Sequence, residues 1–287
     1  MRVFLTGATG YIGSVIVEKL LAAGHRPVGL ARSDASAQKL AALGAEAVRG
    51  DLRDPASMTV AARAADAAIH LAMEFSAEAP HLDRGAIQAI LAGLETEPGG
   101  AGKPFIYTSG IWVMGNTGDT GVDESSPVNP APLVAWRPGN EQLVLQARGV
   151  RGIVIRPAMV FGRGGGFAAG FRRSAQAEGA VRHTGGGENR WPFVHVDDLA
   201  DLYVLALNAP AGSLYFAAVG TSVKVKDVAR AAAHGAAVVA VPLEEARRTM
   251  GPLADALTLD QVIRSRKAEQ ELGWKPKQKS VLEELEA

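Results

Sequence analysis

The sequence predicts an α/β protein, a doubly wound parallel sheet followed by a smaller C-terminal α/β lobe. Three observations carry that prediction. Short β-rich runs alternate with helical stretches up to about residue 165; the first run feeds a glycine-punctuated turn that opens into a helix; and beyond 165 the alternation weakens into glycine-rich segments.

In chain order, strands are expected at Arg2–Thr6, Arg26–Leu30, Ala45–Arg49, Ala67–Leu71, Pro104–Ser109 and Gly152–Arg156. Each is a short apolar run of the length a buried parallel strand needs. Helices are expected near 11–23, 35–43, 55–64, 77–95 and 138–148. The first has apolar residues at helical spacing from Tyr11 to Leu21 and closes at Gly24, and the fifth has Pro138 in a position suited to a first turn. Beyond these, Gly162 to Gly166 and Gly185 to Gly187 suggest long mobile loops. Asp197 is expected to cap a helix running to about Asn208, with small strands at 213–217 and 237–241 and helices near 224–234, 243–249 and 265–272 completing the lobe. The expected division is 1–165 and 166–287, the second part free to interleave with the first.

Composition bounds the function. The chain has 287 residues, 47% of them hydrophobic, enough for a large core, and 30 basic side chains balance 30 acidic ones. That balance removes the attraction that drives non-specific nucleic-acid binding, so no nucleic-acid partner is expected. There is no cysteine, hence no disulfide, thiolate nucleophile or cysteine metal site, and no pair of histidines has helical ligand spacing. The first apolar run lies within a strand and is broken by Gly7 and Gly10, unlike a signal peptide, and no run approaches the ~18 apolar residues of a membrane helix. A cytoplasmic protein acting on a small molecule is expected, with a homodimer as the default assembly.

The segment Thr6-Gly7-Ala8-Thr9-Gly10-Tyr11-Ile12-Gly13-Ser14 sits between the first strand and the first helix. Gly7 suits a sharp turn, Gly10 a close approach to a pyrophosphate, and Gly13 close packing of helix on strand; the N–H groups of Tyr11 and Ile12 face the phosphates at the helix N-terminus. Thr9 belongs to the same loop. A second strand about 20 residues on completes the pattern of a dinucleotide site. That strand ends in Ala31-Arg32-Ser33 rather than in an acid, and a cation accommodates a 2′-phosphate where a carboxylate would pair with a free 2′-hydroxyl. NADP is therefore favoured, with NAD as the alternative, and Arg32 as a solvated loop charge is the plain reading beside it. Ligands in such sheets bind beyond the carboxyl ends of strands, which singles out Asp51 and Leu52, Leu71, Ala72 and Met73, Thr108 and Ser109, and Pro157, Ala158 and Val160. Asp51 either accepts from an adenine amino group or caps a turn.

The glycine segment, Gly50-Asp51-Leu52, Tyr107-Thr108-Ser109, Arg156-Pro157-Ala158-Met159-Val160-Phe161-Gly162, Phe193-Val194-His195-Val196-Asp197-Asp198 and Glu271-Leu272-Gly273-Trp274 together resemble the short-chain dehydrogenase/reductase superfamily. The nearest branch is the extended, epimerase/dehydratase one, which implies a Rossmann fold and a nicotinamide cofactor. The resemblance also implies a tyrosine, as acid or base, followed four residues later by a lysine. The four tyrosines, Tyr11, Tyr107, Tyr203 and Tyr215, are followed at that spacing by Val15, Ile111, Leu207 and Val219, and no lysine lies between Lys103 and Lys224. The best-matching segment puts Trp136 in place of the tyrosine and Asn140 in place of the lysine. Indole cannot titrate near neutral pH, so the chain resembles an atypical member of that superfamily.

Ser109 matches the family serine that bonds a substrate oxygen, and its alternative is a hydroxyl satisfying its own turn. His70, His183 and His195 read as buried structural histidines, and Arg137 and Arg156 as either anion contacts or structural cations. Trp112, Trp136 and Trp191 read as core or as the lining of an apolar pocket. Two functions fit: an NADP-dependent oxidoreductase or epimerase-like enzyme acting on a small, partly apolar ketone, imine or alkene, and a catalytically silent dinucleotide-binding redox sensor.

Overall fold

The computed structural model describes residues 1–74, 76–96 and 102–287. The first half runs β1 (Arg2–Thr6), α1 (Tyr11–Ala22), β2 (Arg26–Ala31), α2 (Asp34–Ala42), β3 (Glu46–Arg49), α3 (Pro55–Arg63), β4 (Ala67–His70), α4 (Ala79–Leu94), β5 (Lys103–Thr108), α5 (Arg137–Leu145) and β6 (Val150–Pro157). The second half runs β7 (Met159–Phe161), α6 (Gly166–Glu178), β8 (Ala180–Thr184), β9 (Arg190–His195), α7 (Val196–Ala206), β10 (Ser213–Ala217), β11 (Val219–Lys224), α8 (Val225–Ala233), β12 (Ala237–Val241), α9 (Leu243–Met250), α10 (Pro252–Leu257), α11 (Lys267–Leu272) and α12 (Val281–Glu286).

Among the described residues, seven strands form the main sheet in the order β10-β6-β5-β4-β1-β2-β3, and β1 through β6 pair in parallel. The order reverses at β1, where the chain crosses from one side of the sheet to the other, so the carboxyl end of β1 is the place a ligand cleft forms. Local chemistry sets the bounds of these elements. Ser33 caps α2 by accepting from the Ser36 N–H, Asp54 caps α3 with Pro55 in the first turn, and Gly24 takes φ of 77° just after α1. The core against α3 and α4 joins Phe4, Met58, Ile87, Ile90, Phe105 and Val154, all fully buried.

The chain divides into two compact units, one of Met1–Ser109, Trp136–Ile155 and Ala200–Tyr215, the other of Gly110–Ala135, Arg156–Leu199 and Phe216–Ala287. Relative to a line at 165/166, residues 110–135 and 156–165 belong with the second unit and 200–215 with the first. The reason is pairing: β10, expected in the lobe, lies beside β6 in the main sheet, while Ile111, Val113 and Met114 pack with Val134, Phe216 and Ala256. The second unit has a three-stranded sheet, β11-β9-β7, and a two-stranded one, β12-β8.

Two other expectations are corrected there. Gly166 opens a 13-residue helix, α6, where a loop was expected, because Gly162, Gly164 and Gly166 all take positive φ and fold the chain back between β7 and α6. Asp197 is not the cap of α7. It lies inside the first turn with Asp198, whose carboxylate accepts from the N–H groups of Lys277 and Gln278 at 2.8 and 3.2 Å.

Candidate functional site

In the first unit a cleft of about 550 Å³ opens beyond the carboxyl ends of β1 to β5, a volume typical of cofactor sites. Gly7, Thr9, Gly10, Tyr11, Ile12 and Gly13 form its centre. The glycines are required by the geometry. Gly7 has φ of 72°, and a Cβ on it would stand 2.8 Å from the Ala72 nitrogen; a Cβ on Gly13 would stand 2.1 Å from the Gly7 oxygen. Gly10 precedes α1 in extended conformation and its N–H bonds the Gly7 oxygen at 3.0 Å, so the loop is a tight cradle ending at a helix N-terminus.

On one side of the cradle, Leu30, Arg32, Ser36, Gly50, Asp51 and Leu52 line the cleft at the ends of β2 and β3. The Arg32 side chain is 73% exposed and its nearest anion, Glu74, is 4.0 Å away. Glu74 is held by Arg53, which donates to it at 2.8 Å and to Glu78 at 2.8 Å, and the Arg53 hydrogen bond, with the Arg53 and Arg32 charges, keeps the Glu74 carboxyl below the usual carboxylate range against its partial desolvation. Asp51 Oδ1 accepts from the Arg53 N–H at 2.9 Å, so the turn-capping role is met while the residue also lines the cleft. Ser33, an expected cofactor contact, spends its hydroxyl on the N–H and hydroxyl of Ser36, and it is Ser36 that faces the cleft. Sequence reasoning missed Leu30, Ser36 and Glu74; Ser36, on the first turn of a helix capped three residues earlier, was the detectable one.

On the other side, Leu71, Ala72, Met73 and Thr108 line the cleft at the ends of β4 and β5, and behind them lies a buried polar network. Thr6 Oγ1 accepts from the N–H groups of Leu71 and Ala72, each at 3.2 Å, and bonds His70 Nδ1 at 2.6 Å. His70 Nε2 meets Asp83 Oδ1 at 3.3 Å; the Tyr107 hydroxyl and Asn140 Nδ2 both donate to Asp83 Oδ2 at 2.8 Å. Arg137 completes the network by donating to the Thr108 carbonyl at 2.7 Å, to Met73 Sδ at 2.8 Å and to the Tyr107 hydroxyl at 3.4 Å. Burial of Asp83 would raise its pKa, but the His70 hydrogen bond and charge, the Arg137 charge and the Tyr107 hydrogen bond outweigh it and hold the carboxyl below its ordinary value.

Burial pushes the Tyr107 and Tyr203 hydroxyls far above the usual phenol range, and Tyr203 is bonded to Thr108 Oγ1 at 2.6 Å. Neither can titrate near neutral pH. Trp136 and Asn140 are not among the residues lining the cleft: the Trp136 ring lies 4.7 Å from the Arg137 guanidinium, and Asn140 is 3% exposed and tied to Asp83. Ser109 is also outside that lining, its Oγ buried and without a hydrogen-bond partner among the described residues. Asp83 was overlooked, though it stands on the same face of α4 as buried Ala86, Ile87 and Ile90, an acid on an apolar stripe.

In the second unit, Pro157 ends β6, the Ala158 N–H bonds the Ala217 oxygen at 2.9 Å, and Val160 pairs with Val194 across β7 and β9. Arg156 is buried, with its guanidinium 5.5 Å from the Phe216 ring centre. His195 is buried too, accepting from the Asp197 N–H at 3.1 Å and meeting Glu284 at 3.2 Å, a structural placement. Trp112, Phe167, Trp191 and Phe171 form a chain of ring contacts at 6.1 to 6.3 Å. Among the described residues no group of three or more His, Cys, Asp or Glu could hold a metal ion, and no helix is long and apolar enough to cross a membrane.

A sequence model of the 3-beta hydroxysteroid dehydrogenase/isomerase family matches residues 4–213. An uncharacterized protein of Schizosaccharomyces pombe is 36% identical over 295 residues, covering 99% of this chain and 98% of its own. A ketoreductase of Stigmatella aurantiaca, named for 4-hydroxy-2-methyl-3-oxo-4-farnesyl-3,4-dihydroquinoline-1-oxide, is 29% identical over 237 residues, 79% of this chain and 70% of its own. Among solved structures, the dTDP-glucose 4,6-dehydratase DesIV of Streptomyces venezuelae, with NAD and TYD bound, matches with a TM-score of 0.82 over 100% of this chain and 95% of its own; at 22% identity that likeness concerns the fold. The chain belongs to the 3-beta hydroxysteroid dehydrogenase/isomerase family, within the extended short-chain dehydrogenases/reductases. Its glycine cradle fits the nicotinamide dinucleotide of that superfamily.

Proposed function

With that family membership as premise, we propose that this protein is an NADP(H)-dependent oxidoreductase acting on a small, partly apolar ketone, imine or activated alkene. The observation that carries the cofactor preference is the end of β2, where Arg32 and Ser36 line the cleft and both lining carboxylates are engaged, Glu74 by the Arg53 side chain and Asp51 by the Arg53 N–H. A cation and a hydroxyl suit a 2′-phosphate, whereas a free 2′-hydroxyl asks for an uncommitted carboxylate. The cradle from Gly7 to Gly13 would hold the diphosphate, Arg32 and Ser36 the ribose phosphate, and Asp51 the adenine amino group. The bound nicotinamide supplies a hydride.

The proton must come from elsewhere than the usual phenol. Trp136 carries no titratable proton, and the phenols of Tyr107 and Tyr203 are buried with their pKa values raised. Ser109 is the remaining candidate to orient a substrate oxygen: a buried hydroxyl without a partner costs about 1–3 kcal/mol, and a ligand oxygen would relieve that cost. The proton that balances the hydride would come from the Ser109 hydroxyl, an ordered water or the substrate itself. The Stigmatella relative, a ketoreductase by name, favours a carbonyl substrate.

Fluorescence titration with NADPH and NADH, followed by a panel of carbonyls, imines and enones monitored by cofactor oxidation, tests this reading. Tighter NADPH binding with turnover of a panel member is expected. Tighter NADH binding would refute the role of Arg32, and tight binding without turnover, unimproved by Trp136→Tyr combined with Asn140→Lys, would replace the enzyme with a redox sensor.

A further inference from the structure

We propose that Arg137 is the positioning cation of the β4/β5 end of the cleft, presetting the wall where the nicotinamide half binds. This rests on the dinucleotide reading above and adds a residue to it. Arg137 is 7% exposed, yet its guanidinium reaches both lining segments on that side, the Thr108 carbonyl at the end of β5 and Met73 beyond β4. Those segments follow different strands, and the cation bonds both of them just beyond the point where β4 and β5 stop pairing.

The guanidinium is itself fixed. It stacks 4.7 Å from the Trp136 ring, and the Tyr107 hydroxyl that accepts from it donates in turn to Asp83, which His70 and Asn140 also hold. A planar five-donor group can serve a carbonyl, a thioether and a hydroxyl at once in fixed directions, which a lysine ammonium does less well. Arg137 thus explains why Trp136 and Asn140 stand beside it: one is the surface its guanidinium lies against, the other supports the anion that orients its hydroxyl partner. The cation touches the walls and not the cleft itself, so its effect is on the shape of the nicotinamide end.

The opposite end of the cleft, at β2 and β3, has no contact with Arg137 among its hydrogen bonds, and that separation supplies the test. Binding of NADPH and of 2′-phospho-ADP-ribose, which lacks the nicotinamide, is measured by calorimetry on the full chain and on Arg137→Met, or NADH with ADP-ribose where the wild-type preference runs that way. The expected result is a rise of ~10-fold in the NADPH Kd with a change of less than about twofold for the fragment, only part of the loss restored in Arg137→Lys, whose ammonium cannot serve the same acceptors in fixed directions. Equal weakening of both ligands, or of neither, overturns the proposal. Where Arg137→Met does not fold, Arg137→Gln, which keeps a donor for the Thr108 carbonyl and loses the charge, carries the same comparison. A wild-type chain that binds neither ligand sinks the dinucleotide reading along with this one; a wild-type chain that binds both, matched by the variants, sinks this inference alone.

Discussion

The two sides of the cleft use charge in opposite ways. At the ends of β2 and β3 the ion pairs are exposed: the side chains of Arg32, Arg53 and Glu74 are 73, 47 and 22% accessible. At the ends of β4 and β5 the charges are buried, with Asp83 at 5% and Arg137 at 7%; the Tyr107 hydroxyl joins the two, and Asp83 also holds His70 and Asn140. Exposed pairs are screened by salt and rearrange at little cost, so they suit a side where a phosphate is exchanged. Buried groups that satisfy one another resist rearrangement, and they suit a side where geometry must be preset.

The sharpest way to break this comparison is Asp83→Ala. Leaving His70, Tyr107 and Asn140 around an apolar gap is expected to cost about 3–5 kcal/mol of stability by urea denaturation, while Glu74→Ala moves the midpoint hardly at all. Equal midpoints for the two variants would show that the buried network is no more structural than the surface pairs. Next in size, Arg32→Glu is expected to shift the NADPH-to-NADH preference by about 10- to 100-fold toward NADH without lowering stability. An unchanged ratio would detach Arg32 from the ribose phosphate.

A third test uses pH. The folded pKa of Asp83 lies below its unfolded value of ~3.9, so its contribution to stability is present above that value and is lost as pH falls through the folded pKa. Thermal midpoints of the wild type are expected to fall below about pH 4 more steeply than those of Asp83→Asn, which has no carboxyl to protonate. Parallel curves would assign the acid sensitivity to other groups. The smallest effect is predicted for Arg53→Ala, which frees Glu74: NADPH affinity is expected to change by less than about threefold, and less still at high salt.

Much of the lining of the cleft was legible in the sequence. Of the expected contacts in the first unit, the residues of the glycine loop, Arg32, Asp51, Leu52, Leu71 to Met73 and Thr108 all line the cleft. They were legible because turn chemistry and the carboxyl ends of strands are local signals. The failures have a common cause. Asn140 was read from its spacing to Trp136 as a stand-in for a catalytic lysine, and its amide is committed to Asp83, 57 residues earlier. Residues 213–217 were correctly read as a strand but assigned to the lobe rather than to the edge of the main sheet beside β6, because a buried strand's sequence does not say which neighbour it pairs with.

Taken by itself, then, the amino-acid order determined the alternating elements, the glycine cradle and the cation in place of an acid directly after β2, since periodicity, glycine conformation and strand ends act over a few residues. Tertiary packing alone decided that Asp83, His70, Tyr107 and Arg137 meet behind Thr108, and that β10 completes the main sheet. Apolar spacing dictates which face of an element is buried; the partner it is buried against is chosen only when distant segments compete for the same space.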